Sequence, residues 1–216
     1  MGVILMVMTI GGLIVAAVLL IISRVTKKVW LKHFVFGGLT TWFAAYVFLL
    51  FCGSFFSVER TLGLNEPKEF CGFYFDCHLH TAVVDVRRTK TLGDKTANGE
   101  FYTVKVKVSS DAGRAELGLT APKFQVIDDS GRRFESVEDL TVSGDSFERK
   151  VPAGGAFEGE IVFDLPIDVK NPRLDVREGY GIDHAIEAVL IGDEDSIGHK
   201  RNFFKLQEQP QTVSVK

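Results

Sequence analysis

The chain has 216 residues, and its two ends differ sharply in composition. Residues 1–56 contain four of the 25 Lys and Arg and no Asp or Glu, whereas residues 57–216 contain the remaining 21 and all 28 Asp and Glu, a formal charge of −7. Because these basic residues are interspersed with acidic ones, the composition argues against binding to nucleic acid.

Two apolar runs, Val3–Ile22 and Phe34–Phe56, are each about as long as a helix that crosses a hydrocarbon layer of about 30 Å. The segment between them, residues 23–33, carries four basic side chains: Arg24, Lys27, Lys28 and Lys32. Lys and Arg of short loops stay on the cytoplasmic side during insertion. We therefore predict a transmembrane α-helical hairpin in the cytoplasmic (inner) membrane, with the C-terminal part on the outer, periplasmic side.

Alternatives exist for parts of this hairpin. The first run could be a cleaved signal peptide, but the basic residues follow it rather than precede it, which favours a retained helix. Gly12 and Ala16 form a small-xxx-small pair that would let another helix approach, although such pairs also arise by chance. Lipid attachment at Cys52 is disfavoured because the preceding Phe51 is bulky, so we expect an ordinary buried thiol there.

After a juxtamembrane connector over residues 57–77, short β-branched and aromatic runs recur at intervals of roughly ten residues, which is typical of an all-β sandwich or barrel. In the clearest run, residues 100–109, Tyr102 and three valines alternate with Thr103 and two lysines. The predicted strands are 79–87, 100–109, 123–128, 132–135, 156–165, 174–177, 185–191 and 202–206. A helical turn over 183–190 is the alternative to the strand at 185–191. We expect a disordered tail at 207–216.

Five pieces of this region resemble a known family: Val84–Val86, Gly99–Val108, Phe124–Phe134, Val151–Gly155 and Ile161–Pro166. The family is the telokin-like, immunoglobulin-like domain of unknown function, common in bacterial secreted and membrane-anchored proteins. The resemblance extends over about residues 78–178. It implies an Ig-like β-sandwich, here at residues 78–206, outside the cytoplasmic membrane, and it implies no catalytic residue. The family more often has a single anchor, and residues 70–80 and 192–199 are extra to it.

Four potential ligands cluster before the first strand of the sandwich: Cys71, Cys77, His78 and His80. Outside the cytoplasm, Cys71 and Cys77 can form a disulfide that closes a short loop, which would contribute about 2 kcal/mol. The same four residues could instead bind copper or zinc, because thiolate and imidazole suit both metals. Their spacing fits no common zinc motif, and the histidines and Cys77 would point to opposite faces of a strand, so we favour the disulfide and expect no cofactor.

The remaining polar motifs give little support for a metal-binding or catalytic site. The acidic loop at residues 192–196 offers oxygens that calcium would require, but it lacks the spacing of an EF-hand. Ser196 and His199 lack the nucleophile elbow of a hydrolase, and we expect no enzyme activity. The sequence therefore predicts a protein-binding or scaffolding module, or an accessory subunit of a membrane complex. A metal-handling protein is the alternative.

Overall fold

The computed structural model describes residues 2–70, 77–140, 147–179 and 186–207. These residues divide into two compact units, one formed by residues 2–58 and 186–201, the other by residues 59–179 and 202–207. The first unit contains two long helices, and the second is a sandwich of two β-sheets. The predicted fold class is confirmed.

The two helices, α1 (Gly2–Thr26) and α2 (Val29–Phe56), continue further than predicted into the basic segment. Lys27, with φ +53°, and Lys28 alone connect them. Both helices are long and apolar enough to cross a membrane, and most of their side chains are exposed. Trp42 Nε1 donates a hydrogen bond to Thr9 Oγ1 at 3.0 Å, which fixes the level of α1 against α2.

The two helices leave a gap between them. A cavity of about 310 Å³ lies there, and the small-residue pair Gly12 and Ala16 is part of its lining. The pair therefore faces α2. The two helices are further apart at Gly12 and Ala16 than two small residues would permit.

Nine strands are seen in the described residues. They are β1 (Arg60–Leu62), β2 (Lys68–Phe70), β3 (Leu79–Leu92), β4 (Lys95–Ser110), β5 (Lys123–Ile127), β6 (Arg133–Glu135), β7 (Ala156–Leu165), β8 (Arg173–Arg177) and β9 (Asn202–Lys205). One sheet has the order β1-β9-β8-β5-β6 and the other the order β2-β3-β4-β7. All neighbours are antiparallel except β1 and β9, which are parallel.

The core lies between the two sheets and is built largely from alternate positions of the strands. In β4, Tyr102, Val104, Val106 and Val108 are buried in it, as the alternation predicts. The opposing sheet contributes core residues in the same way, among them Leu62, Val126, Leu174, Val176 and Phe204. Burial of these side chains is the main favourable term in the folding of the sandwich.

Two parts of the chain differ from the sequence prediction. Residues 60–62 and 68–70, within the predicted connector, form the edge strands β1 and β2. The prediction of a strand at 185–191 is wrong for residues 186–191, because Ile186 and Glu187 are helical and turns follow them. The helical-turn alternative fits these residues, which pack with the helices instead of the sandwich. The tail beyond Gln207 lies outside the described residues and stays a prediction.

The turn between β5 and β6 is organised by the buried carboxylate of Asp128. It accepts hydrogen bonds from Ser130 N and Oγ at 2.9 and 2.8 Å and from Arg132 N and Nε at 2.9 and 2.7 Å. Burial alone would raise the pKa of Asp128, but the hydrogen bonds from Ser130 and Arg132 outweigh it and lower this pKa from 3.8 to about 2. Gly131, with φ +78°, completes the turn.

A close backbone approach occurs where β4 passes the end of β7. The carboxylate of Asp164 accepts hydrogen bonds from Asn98 N at 2.9 Å and from Gly99 N at 3.0 Å. A Cβ atom on residue 99 would overlap the carbonyl group of Leu165. Only glycine fits at this position without movement of the backbone.

We predict that Gly99→Ala lowers the free energy of unfolding by about 1–3 kcal/mol, because one of the two strand backbones must move to make room. The matched control is Gly113→Ala, since a Cβ atom on residue 113 meets nothing within 4 Å. Thermal unfolding of the purified chain measures both effects. Equal melting temperatures for the two variants would contradict the close approach at Gly99.

We predict that Asp128→Asn lowers the melting temperature and reduces its dependence on pH. The depressed pKa of Asp128 means that its stabilising effect is complete above the unfolded-state pKa of 3.8 and is lost as the pH falls towards about 2. Asp168→Asn is the control, because Asp168 is exposed and contacts the same Arg132 at 2.9 Å. The prediction fails if both variants show the same loss of stability at pH 7 and the same acid profile.

Candidate functional site

Residues from both sheets line a groove of about 900 Å³ on the sandwich. We call it the inter-sheet groove. Its polar lining residues are Thr61, Arg88, Glu100, Tyr102, Asp129, Asn171, Arg173, Lys205 and Gln207, and its apolar ones are Pro166, Ile167, Val169, Pro172 and Leu206. These residues come from β1, β3 and β4, from the ends of β8 and β9, from the loop after β7, from the turn after β5 and from the two residues after β9.

One wall of the groove is a fixed arginine. Arg88 and Tyr102 are directly opposite each other in the β3–β4 pair. Arg88 donates to Glu100 Oε2 from Nε at 3.0 Å and from Nη2 at 2.6 Å, and its guanidinium lies 5.2 Å from the centre of the Tyr102 ring. Because both contacts hold the guanidinium, this wall is rigid and nearly neutral.

A second wall carries positive charge that is less completely neutralised. Arg173 and Lys205 are opposite each other in the β8–β9 pair, so their side chains start on the same face of the sheet. Arg173 Nη1 donates to Glu59, but the buried Arg173 Nε has no hydrogen-bond partner. Lys205 is exposed and makes no ion pair with the described residues. Of these two basic groups, the exposed Lys205 ammonium is accessible from the groove, whereas Arg173 Nε is enclosed by the protein.

The rim of the groove is the loop between β7 and β8. Asn171 has φ +47° and its Nδ2 donates to Asp129 Oδ2 at 2.5 Å, while Asp129 N donates to Lys170 O at 3.1 Å. These contacts hold the loop, and Ile167 is 85% exposed on it. The rim therefore places one large apolar side chain in solvent beside the charged walls of the groove.

Sequence analysis did not find the inter-sheet groove. Its residues extend from Thr61 to Gln207 without a motif, and they come together only because the two sheets pack. The sequence feature that could have pointed to the groove is the loop at residues 166–172, in which two prolines enclose an isoleucine and several polar residues.

The predicted histidine cluster is partly assembled, with a partner that the sequence did not indicate. His78 Nδ1 lies 2.6 Å from Asp111 Oδ1, and His80 Nε2 lies 3.4 Å from the same oxygen. The hydrogen bond with His78 is the main cause that lowers the pKa of Asp111. Asp111 follows β4, and the antiparallel pairing of β4 with β3 brings it to the histidines.

Only part of the predicted cysteine site can be described. Cys71 lies outside the described residues, and Cys77 is exposed and is not a free thiol. The Cys71–Cys77 disulfide therefore stays a prediction. Within the described ranges, no group of three His, Cys, Asp or Glu residues is arranged to hold a metal ion, and the copper or zinc site also stays a hypothesis. Cys52, in α2, is a free, half-buried thiol.

The acidic loop at residues 192–196 makes local contacts. Asp193 Oδ1 accepts a hydrogen bond from Asp195 N at 2.9 Å, and Asp195 pairs with Arg201 at 3.2 Å. Burial is the main cause that raises the pKa of Asp193. His199 Nδ1 lies 2.8 Å from Lys200 O, so these side chains stabilise the turns of the loop.

Three solved structures resemble the chain at low similarity. The secreted protein MPT63 from Mycobacterium tuberculosis is 12% identical over 68% of this chain and 98% of its own, with a TM-score of 0.43. The yjhA protein from Bacillus subtilis is 16% identical over 67% and 98%, with a TM-score of 0.42. An uncharacterized β-sandwich protein from Clostridium difficile 630 is 10% identical over 69% and 97%, with a TM-score of 0.37. No curated protein matches the chain.

A family match covers the greater part of the sandwich. Residues 76–186 match the family described as a domain of unknown function, DUF4352, and they make up just over half of the chain. The match overlaps the region in which sequence analysis found a resemblance to a domain of unknown function, while the telokin-like part of that resemblance stays a prediction. The chain belongs to the DUF4352 family.

Proposed function

We propose that this protein is a membrane-anchored binding module that displays its β-sandwich outside the cytoplasm and binds a segment of a protein partner in the inter-sheet groove. In this proposal the module is an accessory subunit or scaffold of a membrane complex, with no catalytic step of its own. The groove, with the exposed Lys205 and the exposed Ile167 at its rim, is the observation that carries the proposal.

The membrane part of the proposal is supported by the chemistry of the helices. Both expose apolar side chains over most of their surface, which is unfavourable in water and favourable in lipid. The basic residues gather at the end where the helices connect, around Lys27 and Lys28. This arrangement favours a cytoplasmic connection and an outer location for the residues after α2.

The size and chemistry of the groove support a peptide segment as its ligand. A volume of about 900 Å³ lies at the upper end of the usual range for binding pockets. A carboxylate of the partner could accept a hydrogen bond from Lys205 Nζ, beside the positive charge of Arg173, and such charge-assisted hydrogen bonds are strong. An apolar residue next to this acid would pack on Ile167 and on the prolines of the rim. The metal-handling alternative has no comparable support among the described residues.

The orientation can be tested with fusions. A reporter that is active only outside the cytoplasm should be active after the C-terminus and inactive when inserted after Lys28, because the positive charges hold that connection inside. Replacement of Arg24, Lys27, Lys28 and Lys32 by Gln should reduce the activity of the C-terminal fusion. An active reporter after Lys28 together with an inactive C-terminal fusion would reverse the proposed orientation.

The binding site can be tested by photo-cross-linking in cells. A photo-reactive amino acid at position 167 should give one dominant protein adduct, whereas the same amino acid at the exposed position 116, which is not in the groove lining, should not. Lys205→Glu should reduce the adduct several-fold because it places a negative charge beside the partner's acid, and Lys205→Arg should retain it.

Two results would contradict this site. One is a similar set of adducts from positions 167 and 116, which would mean that Ile167 meets proteins only by random encounter. The other is an adduct at position 167 whose yield is the same with Lys205→Glu and Lys205→Arg, which would exclude the recognition of an acid.

A further inference from the structure

Residues 186–201, which lie between β8 and β9 in the chain, pack on the helices at three points along the end of α2. Tyr46 Oη donates a hydrogen bond to Val189 O at 2.8 Å, and Ser54 Oγ donates to Ile197 O at 2.6 Å. Lys200 N donates to Ser57 Oγ at 2.9 Å. Ser57, which caps α2, is eleven positions after Tyr46, and this corresponds to about 16 Å along the helix axis. We call residues 186–201 the helix-bound segment.

The helix-bound segment also contacts the beginning of α1. A Cβ atom on Gly2 would overlap the backbone of Ile191, and a Cβ atom on Gly53 would lie 3.5 Å from Ile191 Cγ2. The absence of a side chain at Gly2 therefore permits the segment to lie directly against the end of α1. Ile191 is placed between this end of α1 and the last turns of α2.

At this end of the hairpin the two helices end at different levels. The hydrogen bond between Thr9 and Trp42 sets these two residues at one level, so Gly2 is level with about residue 49 of α2. The remaining seven residues of α2 extend about 10 Å beyond α1. The helix-bound segment lies beside this extension, at the position that a longer α1 would have occupied.

The depth of this region follows from the lengths of the helices. The 28 residues of α2 extend about 42 Å, whereas the hydrocarbon layer is about 30 Å thick. If the lysines between the helices remain at the inner surface, the excess of about 12 Å lies at the outer surface, among the lipid headgroups. Tyr46 is then close to the outer boundary, where tyrosine is enriched in membrane proteins.

The exposed side chains at this level are apolar. Ile197 is 55% exposed and Val189 is 41% exposed, and they are neighbours because Ile197 N donates to Ala188 O at 2.9 Å. On α2, Phe51, Phe55 and Phe56 are between 61% and 81% exposed. Ile197 lies next to Ser54, which is three residues from Phe51 and therefore on the neighbouring part of the same helix face. The apolar surface of α2 continues onto the helix-bound segment.

We infer that the helix-bound segment is a third membrane-contacting element, which inserts Val189 and Ile197 into the headgroup region of the outer leaflet beside the end of α2. The inference rests on the proposed membrane placement of the helices. Lipid is the occupant that fits, because the exposed side chains continue the surface that the helices expose to lipid and lie at the depth of the membrane interface. The acidic groups of the segment are engaged locally, because Asp193 accepts a hydrogen bond from Asp195 N and Asp195 pairs with Arg201.

The test uses nitroxide labels on the full chain in vesicles of phosphatidylethanolamine and phosphatidylglycerol. A Cys52→Ala background removes the free thiol of the described residues, and its own signal after labelling is subtracted. Labels are attached to Ile197→Cys and to Val189→Cys. Ile10→Cys, on an exposed position of α1, is the reference for lipid, and Glu116→Cys, on the sandwich, is the reference for water. The accessibility of each label to oxygen and to a water-soluble nickel chelate is then measured.

We expect the labels at positions 197 and 189 to be several-fold more accessible to oxygen than to the nickel chelate, as at position 10, and opposite to position 116. If position 10 is more accessible to oxygen but position 197 is more accessible to the nickel chelate, the inference is wrong and the membrane placement of the helices stands. Low accessibility to both reagents at position 197 would overturn it in favour of a protein contact. If positions 10 and 197 are both more accessible to the nickel chelate, the inference and the proposed membrane placement are both wrong.

Discussion

The antiparallel pairing of β3 with β4 is the constraint on which the sandwich depends. The two-residue turn Gly93-Asp94 starts the pairing, which continues to Leu79 and Ser110 at its other end. It places Val83 and Val86 of β3 and the three valines of β4 in the core, and it lets β7 add to the free edge of β4. A slip of one residue would turn every one of these side chains to the opposite face, so burial fixes the register.

The same register determines the polar sites. It sets Arg88 opposite Tyr102 in the groove, and at the other end of the hairpin it brings Asp111 to His78 and His80. Exposed ion pairs such as Arg88–Glu100 add little to stability, so their effect here is to fix positions. The buried Nε of Arg173 is different, because an unsatisfied buried donor costs about 1–3 kcal/mol.

The helices follow a different physical rule. Their apolar side chains have no second layer to pack against and remain exposed, which is consistent with lipid as their surroundings. Because α2 extends beyond α1, its last turns need a different neighbour on one side, and the segment at residues 186–201 supplies hydrogen-bonding and apolar contacts there. An element that is distant in sequence thus completes the end of the hairpin.

Elements with a local pattern could be predicted from the amino-acid sequence. The uniform apolar runs predicted both helices, the alternation in residues 100–109 predicted the central strand, and glycine-containing turns predicted most strand limits. Four features depend on the packing of distant parts of the chain: the parallel pairing of β1 with β9, the contact of Asp111 with the histidines, the lining of the groove and the packing of residues 186–191 on α2. The physical reason is the separation in sequence between the residues that interact. A periodic pattern records which face of an element is buried, whereas three-residue strands and scattered polar side chains acquire their partners only when distant parts of the chain pack together.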